Sequence, residues 1–170
     1  MRFVLAFLLA LFSSFALAQN VPPPALAANT WVLVDYATGQ ILAEKDPDTR
    51  IEPASLTKLM TAYLTFSALR AGTLTPDQVV PVSQKAWRMA GSRMFIEPNK
   101  PVTVDELLRG VIVQSGNDAC VALAEVIAGS EEAFAALMNR EAQRMGLTNT
   151  HFSNSTGLPD PQLYTTARDL

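Results

Sequence analysis

The spacing of apolar residues along the chain changes from strand-like to helix-like near residue 55. Residues 31–35 (WVLVD) form a continuous β-prone run, which predicts a strand buried on both faces, and residues 41–44 (ILAE) predict a second strand. Turn-forming residues lie between them at 37–40 (ATGQ). The two strands are therefore expected to pair as a hairpin, followed by a polar loop at 45–50.

Helical spacing dominates from Ser55 onward, and the first helix is expected to begin at that serine. Thr103 and Glu106 have the spacing of a capping box, which predicts the start of a second long helix. Ser130 and Gly146 are residue types that begin and end helices, and they bound the last one. The long helices are predicted at residues 55–71, 104–114, 118–128 and 131–145, and shorter elements at 79–82, 83–90 and 93–96.

Two strands followed by a block of helices indicate an α+β domain, which occupies residues 30–170. A two-stranded hairpin is too small to form a stable sheet by itself, so further strands are expected from sequence after the helices. Residues 165–170 (TTARDL) predict the cap and first turn of another helix. We therefore expect this chain to be the N-terminal part of a longer domain.

The first eighteen residues have the layout of a secretory signal peptide: a basic start at Arg2, an apolar stretch, and a small-residue ending at Ala18. The apolar stretch covers residues 4–18, which is shorter than the ~20 residues that span a bilayer. Residues 19–29 form a leader rich in proline and alanine. This pattern predicts cleavage near Ala18 and export to the periplasm.

Charge and cysteine content narrow the possible functions. The chain has a net charge of −3 and no basic stripe, which argues against binding to nucleic acid or to an anionic membrane surface. Cys120 is the single cysteine, so no internal disulfide can form. Its apolar neighbours predict a buried, unreactive thiol.

Ser55 and Lys58 are the first candidate catalytic pair. Residues three apart share one helix face, so the two side chains can meet if a helix begins at the serine. A serine hydroxyl becomes a good nucleophile only when a base takes its proton, and a buried lysine amine can be neutral enough to do so. The alternative is a serine cap followed by an exposed lysine, which a short motif of this kind does not exclude.

Ser115 and Asn117 form a second candidate element, in a break between two apolar helices where neither side chain is expected to be needed for the core. A second hydroxyl on this loop could relay a proton, and an amide could hold a substrate amide. The alternative is an ordinary interhelical turn with an asparagine cap.

Four blocks of the sequence, in order, resemble a low-molecular-mass penicillin-binding protein, a serine-type D-alanyl-D-alanine carboxypeptidase. The blocks cover the chain from about residue 29 to its end and read PASLTKLMTAY, AWRMAGSRMF, LLRGVIVQSGNDACVALAE and HFSNSTGLPDPQLYTTARDL. The resemblance implies a β-lactamase/DD-transpeptidase-like fold, in which an antiparallel sheet packs with a helical block. It also implies a peptidoglycan stem peptide ending in D-Ala-D-Ala as substrate, β-lactams as covalent inhibitors, and no cofactor or metal.

The resemblance assigns roles to the four candidate residues. Ser55 would be the acylated nucleophile and Lys58 the proton acceptor. Ser115 would relay the proton to the leaving amine, and Asn117 would bind the substrate's peptide amide. The third motif of such enzymes, K-T-G, does not occur in this sequence. That motif, a C-terminal β domain and a membrane-anchoring tail are expected only beyond Leu170.

Two other functions remain open. A class A β-lactamase has the same nucleophile but needs a glutamate that activates the deacylating water, and no glutamate follows Glu141. A secreted binding module without turnover would be favoured by a disrupted S-x-x-K motif, which is intact here. The single histidine, His151, lies in a polar loop and is expected to be structural, which argues against a Ser-His-Asp hydrolase.

Overall fold

The computed structural model describes residues 22–23 and 25–170. The predicted signal peptide at 1–18 lies outside these residues, as does part of the 19–29 leader. Within the described part of the chain, no helix combines the length and apolar character needed to cross a membrane. The strands are β1 (Trp31–Val34), β2 (Ile41–Lys45), β3 (Val79–Val80) and β4 (Val102–Thr103). The helices are α1 (Lys58–Arg70), α2 (Gln84–Trp87), α3 (Val104–Gln114), α4 (Asn117–Ala128) and α5 (Glu131–Met145), and a 3-10 turn at Ala54–Thr57 precedes α1.

Strands β1 and β2 form the predicted antiparallel hairpin, with Trp31 opposite Lys45. Asp35 closes the turn, because its carboxylate accepts hydrogen bonds from the backbone N–H and the hydroxyl of Thr38. The prediction that β1 is buried on both faces is wrong, since Leu33 and Val34 are exposed. The physical reason is that the hairpin forms a separate two-stranded sheet, and among the described residues no helix packs extensively on either face of it.

Helix α4 is the centre of the fold. It packs against α1, α2, α3 and α5, and its residues 117–124 are all buried. A helix that is buried on every side over two turns has to be surrounded by other elements. One core cluster joins α4 to α3 and the β3–β4 pair, and a second joins the end of α4 to α1 and α5 through residues such as Phe134 and Met138.

The predicted helix caps are present. The Thr103 hydroxyl accepts a hydrogen bond from the Glu106 N–H, while the Glu106 carboxylate accepts one from the Thr103 N–H. Ser130 caps α5, and Gly146 ends it with φ +78°, in the left-handed region that glycine tolerates. These local interactions account for the bounds of α3 and α5, which agree with the sequence prediction.

The C-terminal segment, residues 147–170, folds back across the start of α1. Thr165 pairs with Ile51, and Tyr164 pairs with His151, through short antiparallel bridges. The Asp169 carboxylate fastens the segment by accepting hydrogen bonds from Asn149 and Thr150. This path brings residues 154–157 against the 3-10 turn that carries Ser55.

Candidate active site

Ser55 and Lys58 meet at the start of α1, as predicted. Lys58 Nζ lies 3.2 Å from Ser55 Oγ and donates a hydrogen bond to it. The helix does not begin at Ser55 as expected, because residues 54–57 form a 3-10 turn. In a 3-10 turn the side chains at i and i+3 eclipse, so this geometry also brings the hydroxyl and the amine together.

Lys58 is buried although Ser55 is exposed. Only 6% of the lysine is accessible, and its Nζ also donates to the Thr156 carbonyl oxygen at 2.7 Å. Burial lowers the pKa of Lys58, because a low-dielectric environment disfavours the charged form. An exposed lysine in a first helical turn, the alternative considered from the sequence, is therefore excluded.

Cys120 lies at the inner side of this site and is completely buried, as predicted. Burial raises the pKa of its thiol to about 12. A Cys120 thiolate would raise the pKa of Lys58. Because the thiol is protonated at neutral pH, that opposing influence is absent and the lowering by burial prevails.

Ser115 completes a triangle of side chains around the Ser55 hydroxyl. Its Oγ lies 3.1 Å from Ser55 Oγ and donates a hydrogen bond to it. Ser115 ends α3 in the left-handed conformation, with φ +56° and ψ +38°, an arrangement uncommon for a non-glycine residue. The loop after α3 therefore places a second hydroxyl beside the nucleophile, 60 positions along the chain.

Asn117 lies on the adjacent turn but is more buried than expected. It is the first residue of α4, only 4% exposed, and its Nδ2 donates to the Ala90 carbonyl oxygen at 2.7 Å. The expectation that the core does not need this side chain is wrong, since the side-chain amide ties α4 to Ala90. Its Oδ1 has no hydrogen-bond partner within the described part of the chain, which leaves one acceptor for another group.

Asp118 was not identified from the sequence, although it organises the neighbouring loop. Its buried carboxylate accepts hydrogen bonds from the backbone N–H groups of Met94, Phe95 and Ile96. Residues 93–96, predicted as a short regular element, are instead an irregular segment held by this carboxylate. The sequence offered no distinct signal, because an acidic residue in the first turn of a helix is common and is usually solvent-exposed.

Residues 154–157 (NSTG) were also missed as part of the site. They supply the Thr156 carbonyl oxygen that faces Lys58, and Gly157 packs directly against Ala54. Asn and Gly in this order are a turn signal, but a turn signal does not tell which element the loop will contact.

His151 lies away from this triangle in a structural position, as predicted. Its Nδ1 hydrogen-bonds the Gln162 carbonyl oxygen at 2.6 Å, and its ring stacks on Tyr164. The described residues contain no group of three or more His, Cys, Asp or Glu side chains able to hold a metal ion.

Comparisons with known proteins identify the family of this chain. Residues 17–170 match the family model described as peptidase S11, D-alanyl-D-alanine carboxypeptidase. The chain is 45% identical over 164 residues to the D-alanyl-D-alanine carboxypeptidase DacC of Escherichia coli K12, which covers 93% of this chain and 41% of that protein. It is 44% identical over 143 residues to DacF of Bacillus subtilis, which covers 84% of this chain and 37% of that protein.

Solved structures show the same fold. Penicillin binding protein 5 from Haemophilus influenzae gives a TM-score of 0.85 at 47% identity, over 88% of this chain and 44% of that chain. DacD from Francisella tularensis gives a TM-score of 0.83 at 43% identity, over 92% of this chain and 40% of that chain. The chain thus spans about two-fifths of the length of these relatives, and its fold is the predicted α+β fold of penicillin-binding proteins. It belongs to the D-alanyl-D-alanine carboxypeptidase family, peptidase S11.

Proposed function

We propose that the intact protein containing this chain is a serine D-Ala-D-Ala carboxypeptidase of cell-wall biogenesis. It removes the terminal D-alanine from peptidoglycan stem peptides through an acyl-enzyme. The observation that carries the proposal is the contact of one exposed hydroxyl, Ser55 Oγ, with both the buried Lys58 amine and the Ser115 hydroxyl. Family membership supports the same reaction, because the relatives named above are D-alanyl-D-alanine carboxypeptidases.

Acylation begins when neutral Lys58 takes the proton of Ser55. The serine oxygen attacks the carbonyl carbon of the D-Ala-D-Ala bond and forms a tetrahedral intermediate. The proton then passes through the Ser115 hydroxyl to the leaving D-alanine amine, and the bond to that amine breaks. Water hydrolyses the resulting ester, which frees Ser55 for another turnover. No step requires a cofactor.

Asn117 is proposed to hold the substrate by its peptide amide. Its Nδ2 is already engaged by Ala90, so the free Oδ1 is the atom suited to accept a hydrogen bond from a substrate N–H. The predicted signal peptide supports a periplasmic location.

A class A β-lactamase is disfavoured because the segment that faces Lys58 carries no glutamate to activate water. Residues 153–160 read SNSTGLPD. The nearby Glu131 is engaged with the Ser155 N–H and hydroxyl and with Lys85, so its carboxylate is not free to act as a base. A β-lactam that acylates Ser55 is therefore expected to act as an inhibitor.

The experiment measures the D-alanine released from a peptide ending in D-Ala-D-Ala by the intact protein and by two serine variants of it. Ser55→Ala should abolish release, because Ser55 is the one hydroxyl that hydrogen-bonds Lys58 Nζ among the residues that the structure describes. Ser67→Ala, on helix α1 but outside the site, is the matched control and should behave as wild type. Wild-type protein without release, or Ser55→Ala with normal release, would contradict the proposal.

A further inference from the structure

The peptide group between Thr156 and Gly157 contacts the catalytic lysine on one side and Asn154 on the other. Its carbonyl oxygen accepts the hydrogen bond from Lys58 Nζ at 2.7 Å. Its N–H, from Gly157, donates to Asn154 Oδ1 at 2.8 Å. Because a trans peptide unit is planar with its N–H and C=O pointing in opposite directions, fixing the N–H also fixes the direction of the carbonyl.

Asn154 holds this loop with its whole side chain. Besides the Gly157 N–H, its Oδ1 accepts hydrogen bonds from the N–H and the hydroxyl of Thr156, both at 3.1 Å. Its Nδ2 donates to the Leu158 carbonyl oxygen at 3.0 Å. One amide therefore sets the backbone on both sides of the group that faces Lys58.

The contact between Gly157 and the nucleophile's own turn leaves this loop little freedom. Gly157 has φ +87°, and a Cβ at this position would overlap the Ala54 carbonyl oxygen. Ala54 itself has φ +46°, which is uncommon for alanine. Residues 156–157 are thus wedged against the residue that precedes Ser55.

Ser155, the residue before Thr156, is anchored separately. The Glu131 carboxylate accepts hydrogen bonds from the N–H and the hydroxyl of Ser155, and the Ser155 carbonyl oxygen accepts one from the Thr61 hydroxyl. These bonds fix residue 155 to α5 and α1. They do not set the orientation of the following peptide group, for which Asn154 supplies the hydrogen bond to the N–H.

We propose that Asn154 is a positioning residue for the general base, which directs the Thr156 carbonyl oxygen at Lys58 Nζ and so aims the amine at Ser55. This inference rests on the proposed function, since it assumes that Lys58 accepts the Ser55 proton. The carbonyl takes one of the three N–H directions of the ammonium group, and after deprotonation it keeps one of the two remaining hydrogens directed away from Ser55. The nitrogen lone pair then faces the hydroxyl.

The pH dependence of acylation reports on this role. The titratable neighbour of Lys58 on α4 is the Cys120 thiol, which stays uncharged because burial raises its pKa to about 12. The segment 154–157 contains no ionisable side chain, but the Glu131 carboxylate of α5 accepts hydrogen bonds from Ser155 within it. Ser115, on the other side of Ser55, is a hydroxyl. The Thr156 carbonyl stabilises the ammonium form of Lys58, so its loss lowers the pH at which the amine becomes neutral.

The experiment measures the rate of Ser55 acylation by a fluorescent penicillin against pH, in the intact protein. Asn154→Ala should lower the plateau rate by about 10- to 100-fold, because the amine is no longer aimed. It should also shift the midpoint of the acid limb to lower pH by roughly half a unit to one unit. Asn154→Asp retains the acceptor oxygen and adds a negative charge, so it should restore the plateau and shift the midpoint upward.

Asn139→Ala is the matched control. The Asn139 side-chain amide accepts a hydrogen bond from the Phe152 N–H and donates one to the Phe152 carbonyl oxygen. It makes no hydrogen bond to the peptide group between residues 156 and 157. This variant should lose thermal stability and keep the wild-type midpoint.

An Asn154→Ala variant that behaves as Asn139→Ala does, or whose midpoint shifts upward, would overturn the inference. If Asn154→Ala does not fold, Asn154→Asp carries the test, and loss of its plateau rate would be the contradicting result. Wild-type protein that is never acylated at Ser55 contradicts the proposed function itself, so the two failures are distinguishable.

Discussion

The buried carboxylate of Asp118 offers a substitution whose cost follows from the structure. Asp118→Asn keeps the shape of the side chain but replaces one acceptor oxygen with an NH2 group. Oδ1 accepts from the N–H groups of Met94 and Ala119, and Oδ2 accepts from those of Phe95 and Ile96. Whichever way the new amide turns, two backbone N–H groups will face a donor.

Each buried donor left without a partner costs about 1–3 kcal/mol, so Asp118→Asn should lower the free energy of unfolding by about 2–6 kcal/mol. The assay is urea unfolding of the intact protein, with acylation by a fluorescent penicillin measured in parallel. Acylation should also fall, because the 94–96 segment lies directly against the loop that carries Ser115. A Cβ built on Gly116, the residue after Ser115, would be only 3.3 Å from Met94 N.

Asp105→Asn is the control of identical chemistry. Asp105 lies in the first turn of α3, and its ion pair with Arg109 is solvent-exposed, so the substitution should cost less than about 1 kcal/mol. If the two variants unfold with the same free energy, the Asp118 carboxylate does not hold the 94–96 segment, and our reasoning about that loop would be refuted.

Three further predictions concern Lys58 and the fate of the acyl-enzyme. Lys58→Arg should slow acylation by at least ~100-fold, because a guanidinium stays protonated, and near-normal labelling would make the lysine a bystander. Lys58→Met should unfold at higher urea concentration than wild type near pH 7. The pKa of Lys58 is lower in the folded than in the unfolded protein, so the wild-type protein gains stability as the pH rises toward the unfolded-state pKa of 10.5. The difference in stability between Lys58→Met and wild type should therefore shrink toward pH 10.5, and a difference that does not change with pH would contradict this. The penicillin adduct on Ser55 should last much longer than one turnover of the peptide substrate. Rapid release of the drug, observed by mass spectrometry, would instead indicate a β-lactamase.

Local sequence signals predicted the helical part of the fold well. The bounds of α3 and α5 agree with the prediction because their caps, such as the Thr103–Glu106 pair, lie within one turn of the helix ends. The meeting of Ser55 and Lys58 was predictable for the same reason, since the residues are three apart and either kind of helix brings them together.

Features that depend on distant segments were not predictable. The exposure of Leu33 depends on which elements pack on the faces of the hairpin, and the apolar run alone suggested burial on both faces. Asp118 binds a segment 22 to 24 residues away, and Thr156 reaches Lys58 from 98 residues away. Hydrophobic periodicity carries no record of such pairings, so the structure was needed to identify them.

The most direct test of the central claim, that Ser55 is the nucleophile activated by Lys58, is to map the site of penicillin attachment. Intact protein is incubated with the drug, digested and analysed by tandem mass spectrometry, with Ser55→Ala as the control. We expect the adduct on Ser55 in the wild-type protein and no adduct in the variant. An adduct on Ser115, or a labelled Ser55→Ala variant, would contradict the account.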